Sequence, residues 1–268
     1  MFQLRMRDSF ARHTAAVLTL TAFTSACAPV TRQGLEPMVT DRPDFTESTE
    51  TVPSGMRQVE VGTTFARRLE QQSTSVGETI LRVAVLPRAE LRIGLNSYTL
   101  ASTAGEAVRG FEDFSLGTKV KLMNGGGDGS LKPNLSIIVG STFPSGGAAF
   151  KANKPQPEMK FGMAWDLTSR VAFSSNLNAA YVTDNAASYA EFAATGSVGV
   201  GLTKRISSYL EFFSFLPQQN GVSASHYTNG GLTYLLTDNL QFDVRSGVGL
   251  RRTAGPDYFV GAGVSRRW

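Results

Sequence analysis

Four carboxylates at a constant spacing of three, Asp41, Asp44, Glu47 and Glu50, stand in the stretch TDRPDFTESTETVPSG. One cation, Arg42, lies among them, and Phe45 and Val52 are the only sizeable apolar side chains. Pro43 and Pro53 favour extended polyproline-like backbone, which turns once per ~3 residues and would bring the four acids to one side. Oxygen ligands in such a row could serve calcium, but the stretch holds no nucleophile–base pair. Elsewhere, His226 sits in SASHYTN beside Ser223 and Ser225. Neighbouring strand residues point to opposite faces, so Ser225 is poorly placed to be activated by His226. Cys27 is the single cysteine and there are two histidines, which excludes disulfides and Cys- or His-based metal sites. We expect no catalytic residues, no metal and no cofactor.

The elements that must position the acidic row come before and after it. Residues 1–26 read as a secretory signal. Arg5, Arg7 and Arg12 precede a short apolar run, Thr14 to Ala26, which ends in small residues. That run is far shorter than the ~20 residues of a membrane helix. Thr24-Ser25-Ala26 before Cys27 also resembles a lipoprotein box, so Cys27 is a lipidation candidate. Residues 27–55 form an N-terminal segment that is either periplasmic or inserted in a lumen, and residues 56–268 form the main domain.

That domain alternates. In NLQFDVRSGVGLRR, Leu240, Phe242, Val244, Val248 and Leu250 oppose Gln241, Asp243, Arg245 and Arg251. Strand side chains alternate faces, so one face is apolar and the other charged. The pattern recurs around Val59–Phe65, Phe114–Leu122, Met159–Leu167 and Phe192–Leu202. It predicts strands near 56–68, 78–87, 89–100, 111–123, 133–143, 158–168, 170–183, 189–204, 207–216, 225–236, 239–251 and 258–268. Many approach the ~9–11 residues that cross a bilayer at a tilt. A soluble sandwich would alternate too.

Tight connections (LPRAE, LTSR, TKRIS, LTDN) alternate with longer polar ones (RRLEQQSTSVGE, ASTAGEAVRGF, TFPSGGAAFKANKPQPE, LPQQNGVSAS, RRTAGPD), with NGGGDGSLKP and TDNAAS as exceptions. Short turns at one rim and long loops at the other predict an all-β fold: a transmembrane antiparallel β-barrel of about 12 strands, of outer-membrane type. Every backbone polar group in hydrocarbon must be paired, so the first strand should close on the last. Trp165, Trp268, Tyr181 and Tyr258 fall near strand ends, where aromatic girdles belong. Trp268, in phase with Val264, Val260 and Tyr258, resembles the C-terminal signal read by barrel-insertion machinery. The expected partners are therefore outer-membrane lipid, that machinery and a small-molecule solute. The net charge of +4 comes from dispersed basic residues, which argues against nucleic acid.

The inward phase collects Glu60, Arg82, Arg92, Lys119, Lys121, Lys160, Asp166, Glu211, Asp243 and Arg245 as pore-lining candidates. Asp41, Arg42, Asp44, Glu47 and Glu50, placed directly before the first strand, would meet these opposite charges as a partial plug. The competing expectation is a solvated lead-in.

The stretch TDRPDFTESTETVPSGMRQVEVGTTFA resembles the N-terminal pattern of a bacterial outer-membrane family named for the MetA pathway of phenol degradation. Gly231 to Leu250 resembles that family's penultimate hairpin. The resemblance implies an outer-membrane barrel that passes small hydrophobic or aromatic compounds. With no GxxxxGK[ST] loop, transport would be passive. The alternatives are a structural or adhesive barrel without transport and, further off, an outer-membrane hydrolase using His226.

Overall fold

The computed structural model describes residues 36–95, 97–183, 188–219, 221–251 and 255–268, with Arg251 by its backbone alone. The expected signal segment, residues 1–26, and Cys27 lie outside the described residues. Fourteen strands follow in order: β1 (Arg57–Arg68), β2 (Gln71–Leu86), β3 (Ala89–Leu95), β4 (Tyr98–Thr103), β5 (Glu106–Phe111), β6 (Phe114–Met123), β7 (Asn134–Phe143), β8 (Gln156–Asp166), β9 (Val171–Thr183), β10 (Ser188–Gly201), β11 (Ile206–Pro217), β12 (Ser225–Thr237), β13 (Leu240–Arg251) and β14 (Tyr258–Arg267). All form one antiparallel sheet. β1 pairs with β2 on one side and with β14 on the other, which closes the sheet into a barrel.

The barrel has twelve staves. β3 and β4 both pair with β2, at Thr79↔Leu95 and Val76↔Tyr98, so they are two halves of one stave. β5 and β6 are likewise halves of the next.

Two expected loops are strands. RRLEQQSTSVGE continues β1 into β2 through a turn at Leu69 and Glu70, with Arg68 opposite Gln71. ASTAGEAVRGF continues β4 into β5 through Ala104-Gly105, both at positive φ. At this outer end the staves rise beyond the hydrocarbon, so both faces become polar and the alternation fades. The backbone ladder continues because it needs no apolar face.

The burial pattern is inverted relative to a water-soluble protein. Glu60, Arg82 and Lys119 are 0 % exposed, whereas Leu177, Leu210, Val244 and Val260 are all more than 40 % exposed. The apolar phase clads the outside and the polar phase fills the interior, the arrangement a bilayer demands. Stacked pairs sit at the rims: Trp165 on Phe173 at the end bearing Trp268, and Phe114 on Phe143 towards the other. By the short-turn rule the end carrying Arg57 and Trp268 is periplasmic. Arg266, the charged residue in the outward phase of the last strand, falls at that periplasmic rim, where its head can snorkel.

Candidate functional site

Residues 36–55 run up into the barrel and back as a hairpin-like loop. At the periplasmic rim the Met38 N–H donates to Asp238 O, and Arg267 Nη2 to Glu36 O. The return arm ends in a turn, Met56 N–H to Pro53 O, directly before β1. Between these points the loop bonds to side chains from β1, β2, β3, β6, β8, β9, β10, β11 and β13. Only an object inside a closed barrel can touch strands on every side.

One wall of the lumen is cationic. Asp41 accepts from Lys119 Nζ at 2.7 Å and from Arg92 Nη1 at 2.5 Å, with Arg82 at 3.3 Å. Glu47 bridges Arg92 at 2.5 Å and Lys160 at 2.6 Å, and Glu50 accepts from Lys121 at 2.6 Å. Arg82 also binds Glu60 and Glu90 of the wall, at 2.9 and 2.8 Å. Glu60 accepts the Asp41 and Arg42 N–H groups, and Glu90 that of Val52. Burial alone would push the Asp41 carboxyl up, but Arg82, Lys119 and Arg92 outweigh it and hold it well below the usual carboxylate range. For Glu47, burial is likewise outweighed by Arg92 and Lys160, and the carboxyl falls to about 2.

The opposite wall is different. Glu211 accepts the N–H groups of Phe45 and Thr46 at 2.9 and 2.6 Å, plus the Asn229 amide. Asn176 accepts the Glu47 N–H at 2.6 Å. Asp44 points here and accepts from the Ser197 hydroxyl at 3.2 Å. Burial and the charge of Glu211 raise its carboxyl well above the usual range. The acidic row is therefore split. The backbone turns over between Pro43 and Thr46, so Asp41, Glu47 and Glu50 share one side and Asp44 does not.

Arg42 occupies a slot in a third sector. Its guanidinium meets Glu78 at 3.2 Å and Asp243 at 3.3 Å. Gly62 and Gly263 face one another across β1 and β14, and a Cβ on either would run into this guanidinium. Their lack of a side chain makes the wall thin enough to receive it. Arg245 Nη1 donates to Pro43 O at 2.9 Å. Asp166 lies apart at the periplasmic end, within 3.5 Å of Asn134.

Gln58, Glu78, Glu90, Thr195 and Ser197 also hold the loop, although the sequence reading did not single them out. Each shares the inward phase of its strand, which is the signal that marks it. Among the described residues no acidic, cysteine and histidine cluster could hold a metal, because the loop's acids are taken by cations of the wall. His226 finds its hydroxyl partner across strands: Ser214 lies 2.7 Å from Nδ1. Both residues are in the outward phase, away from the lumen.

Above the loop's tip, towards the outer end, the lumen is aromatic. Phe45 stacks on Phe213 at 4.8 Å, Phe213 stacks on Tyr227 at 5.0 Å, and Phe215 meets Phe45 edge-on at 5.2 Å. Phe259 completes the group, with the Arg245 guanidinium 5.6 Å from its ring centre. Phe213, Phe215, Tyr227 and Phe259, with Glu191, Ser225, Gly255 and Pro256, line a cavity of about 300 Å³. The inward Phe213 and Phe215 break the polar-in rule. The run EFFSFL, apolar in both phases, is where the sequence shows it.

The two kinds of acid give docking of the loop a pH optimum. Asp44 takes up a proton more readily docked than free, so acidification through its raised pKa tightens docking. Asp41 and Glu47 are shifted down, so their contribution is complete above the ordinary carboxylate range and is lost as pH falls towards about 2. Asp44→Asn should tighten docking at neutral pH, because the amide carries no charge to be buried beside Glu211. Open-state frequency in single-channel records from pH 7 to 2 checks this. The variant should lose the neutral-side rise and keep the acid-side one.

A family model described as "Putative MetA-pathway of phenol degradation" matches residues 40–268. Among solved structures, the COG4313 outer membrane channel from Pseudomonas putida F1 is similar to the chain, with a TM-score of 0.62 at 16% identity over 82% of this chain and 98% of that one. The NanC porin aligns with a TM-score of 0.56 at 9% identity, over 78% of this chain and 98% of its own. The KdgM porin aligns with a TM-score of 0.50 at 10% identity over the same shares. No curated protein matches the chain in sequence.

Proposed function

The chain belongs to the MetA-pathway of phenol degradation family, and from that premise we propose that it is an outer-membrane channel for passive passage of small molecules, hydrophobic and aromatic ones among them. The observation that carries this is the layering of the lumen: an aromatic vestibule at the outer end, resting on a loop that crosses the lumen. A barrel serving only as a wall needs neither. The similarity to a channel and to porins supports the same reading at the level of fold.

In this reading residues 36–55 act as the plug. Its ion pairs are internal and saturated on the cationic wall, so it closes the lumen at rest. The outward face, with Phe212, Leu232 and Val248 exposed, contacts lipid. Trp268 at the periplasmic rim presents the C-terminal strand to the insertion machinery. No enzymatic activity is assigned: the Ser214–His226 pair has no carboxylate orienting the ring among the described residues.

Reconstitution in planar bilayers tests the proposal. The expected record is low resting conductance, altered by aromatic solutes such as phenol added on the vestibule side. A bilayer silent in every condition, with the protein shown to be inserted, would overturn it in favour of a structural barrel.

A further inference from the structure

Among the described residues, the outer cavity is lined by one charged side chain, set among aromatic ones. Glu191 lies in the inward phase of β10, opposite Pro217, one inward position above the Ala193–Phe215 pair. It lines the cavity with Phe213, Phe215, Tyr227 and Phe259. Among the described residues, no hydrogen-bond donor or cation meets its carboxylate. Every other acid within reach of the loop in this lumen has a donor: Asp41, Glu47, Glu60, Glu90 and Glu211 several each.

A carboxylate without a partner adds nothing to the hold that the rings have on a neutral aromatic solute. It is a good wall for a cation. The faces of Phe and Tyr carry negative potential and attract cations, most strongly where water is excluded. The same ring group already does so with a cation of the chain, since Arg245 lies over Phe259.

We propose that this vestibule is a binding site for small organic ammonium ions, with the aromatic rings caging the alkylated nitrogen and Glu191 supplying the counter-charge. The inference rests on the channel reading and names a solute class for it. A volume of about 300 Å³ suits a quaternary ammonium of choline size with room for a longer substituent. Because Phe213 also stacks on Phe45, the occupant would sit against the ring group that holds the plug's tip.

Calorimetric titration of the full chain in detergent micelles tests the site without requiring conduction. Choline is the probe and uncharged 3,3-dimethylbutan-1-ol its isostere. Saturable binding of choline, with the isostere at least about tenfold weaker, is the expected result. Glu191→Gln should weaken choline about tenfold and leave the isostere unchanged. Tyr227→Leu, checked for native heat-modifiable migration, should also weaken choline. Equal binding of the two probes, no binding of choline, or an unchanged affinity in Glu191→Gln would overturn the assignment. Conduction without choline binding would sink the ammonium site and leave the channel standing. Choline binding in a barrel that never conducts would do the reverse.

Discussion

Asp41→Lys is expected to open the barrel. The native carboxylate is the meeting point of Lys119, Arg92 and Arg82, and it also accepts from the Ser48 N–H and hydroxyl. Reversal places a fourth cation among three that are already almost wholly buried. Breaking a buried pair by removing one partner costs about 3–5 kcal/mol, and here three pairs lose their partner at once. Remaining anchors at Glu47, Glu211 and Glu60 cannot offset repulsion at the centre of the network. Conductance should rise several-fold, and the Glu47–Ser48 bond should become accessible to a glutamate-specific protease in the inserted protein. Lys119→Asp in the same chain should restore part of the closure, since the two charges are then exchanged rather than lost. Glu50→Lys is the mild control, because Glu50 is the most exposed acid of the three on this wall. If Asp41→Lys left both conductance and protection from the glutamate-specific protease unchanged, the plug reading would fail.

Arg82→Met should lower the barrel's resistance to heat. Arg82 is fully buried and uses its whole fork: Nε and Nη2 to Glu90, Nη1 to Glu60, and a further bond from Nη2 to Glu50 O. Methionine matches the stem but leaves Glu60 without its cation and Glu90 with Arg92 alone, at a cost of about 3–5 kcal/mol. The temperature at which the folded band disappears on an unheated-versus-heated gel should fall markedly. Arg82→Lys should recover little, because a single ammonium cannot reproduce a planar fork that serves two acids and a carbonyl. Adding Glu60→Gln to Arg82→Met should recover more, since it removes the charge left without a cation. A Met variant as heat-resistant as the parent would show that the wall network contributes nothing to stability.

The alternation of the chain made the barrel legible. In β13, Leu240 to Leu250 against Gln241 to Arg251 states which face meets lipid, and the short turns then fix which way each stave runs. The acidic row and the wall cations were legible as partners by charge. Three things were not. The outer ends of β1, β2, β4 and β5 carry polar residues on both faces, so no period distinguishes them from loops. The direction of Asp44 depends on where the backbone turns over, and an even spacing of three does not record a turn. The slot for Arg42 rests on Gly62 and Gly263, which are 201 residues apart and become neighbours only when β1 closes on β14. The Ser214–His226 pair is of the same kind: register, rather than sequence proximity, creates it.

Both arms of residues 36–55 lie at the periplasmic rim, and the loop's tip carries no free chain end. Leaving the lumen therefore requires no threading. The return arm is tied to β1 at Met56, so it can only pivot. The leading arm, fastened by Met38 to Asp238 and by Glu36 to Arg267, is the one that can peel away. Traction on the chain from the periplasm would unfasten those two bonds first and then draw Arg42 from its glycine slot. A push from outside bears on the Phe45 stack and drives the loop against the same wall. On the plug reading the closure would work as a one-way latch, released from within the cell envelope and seated from without.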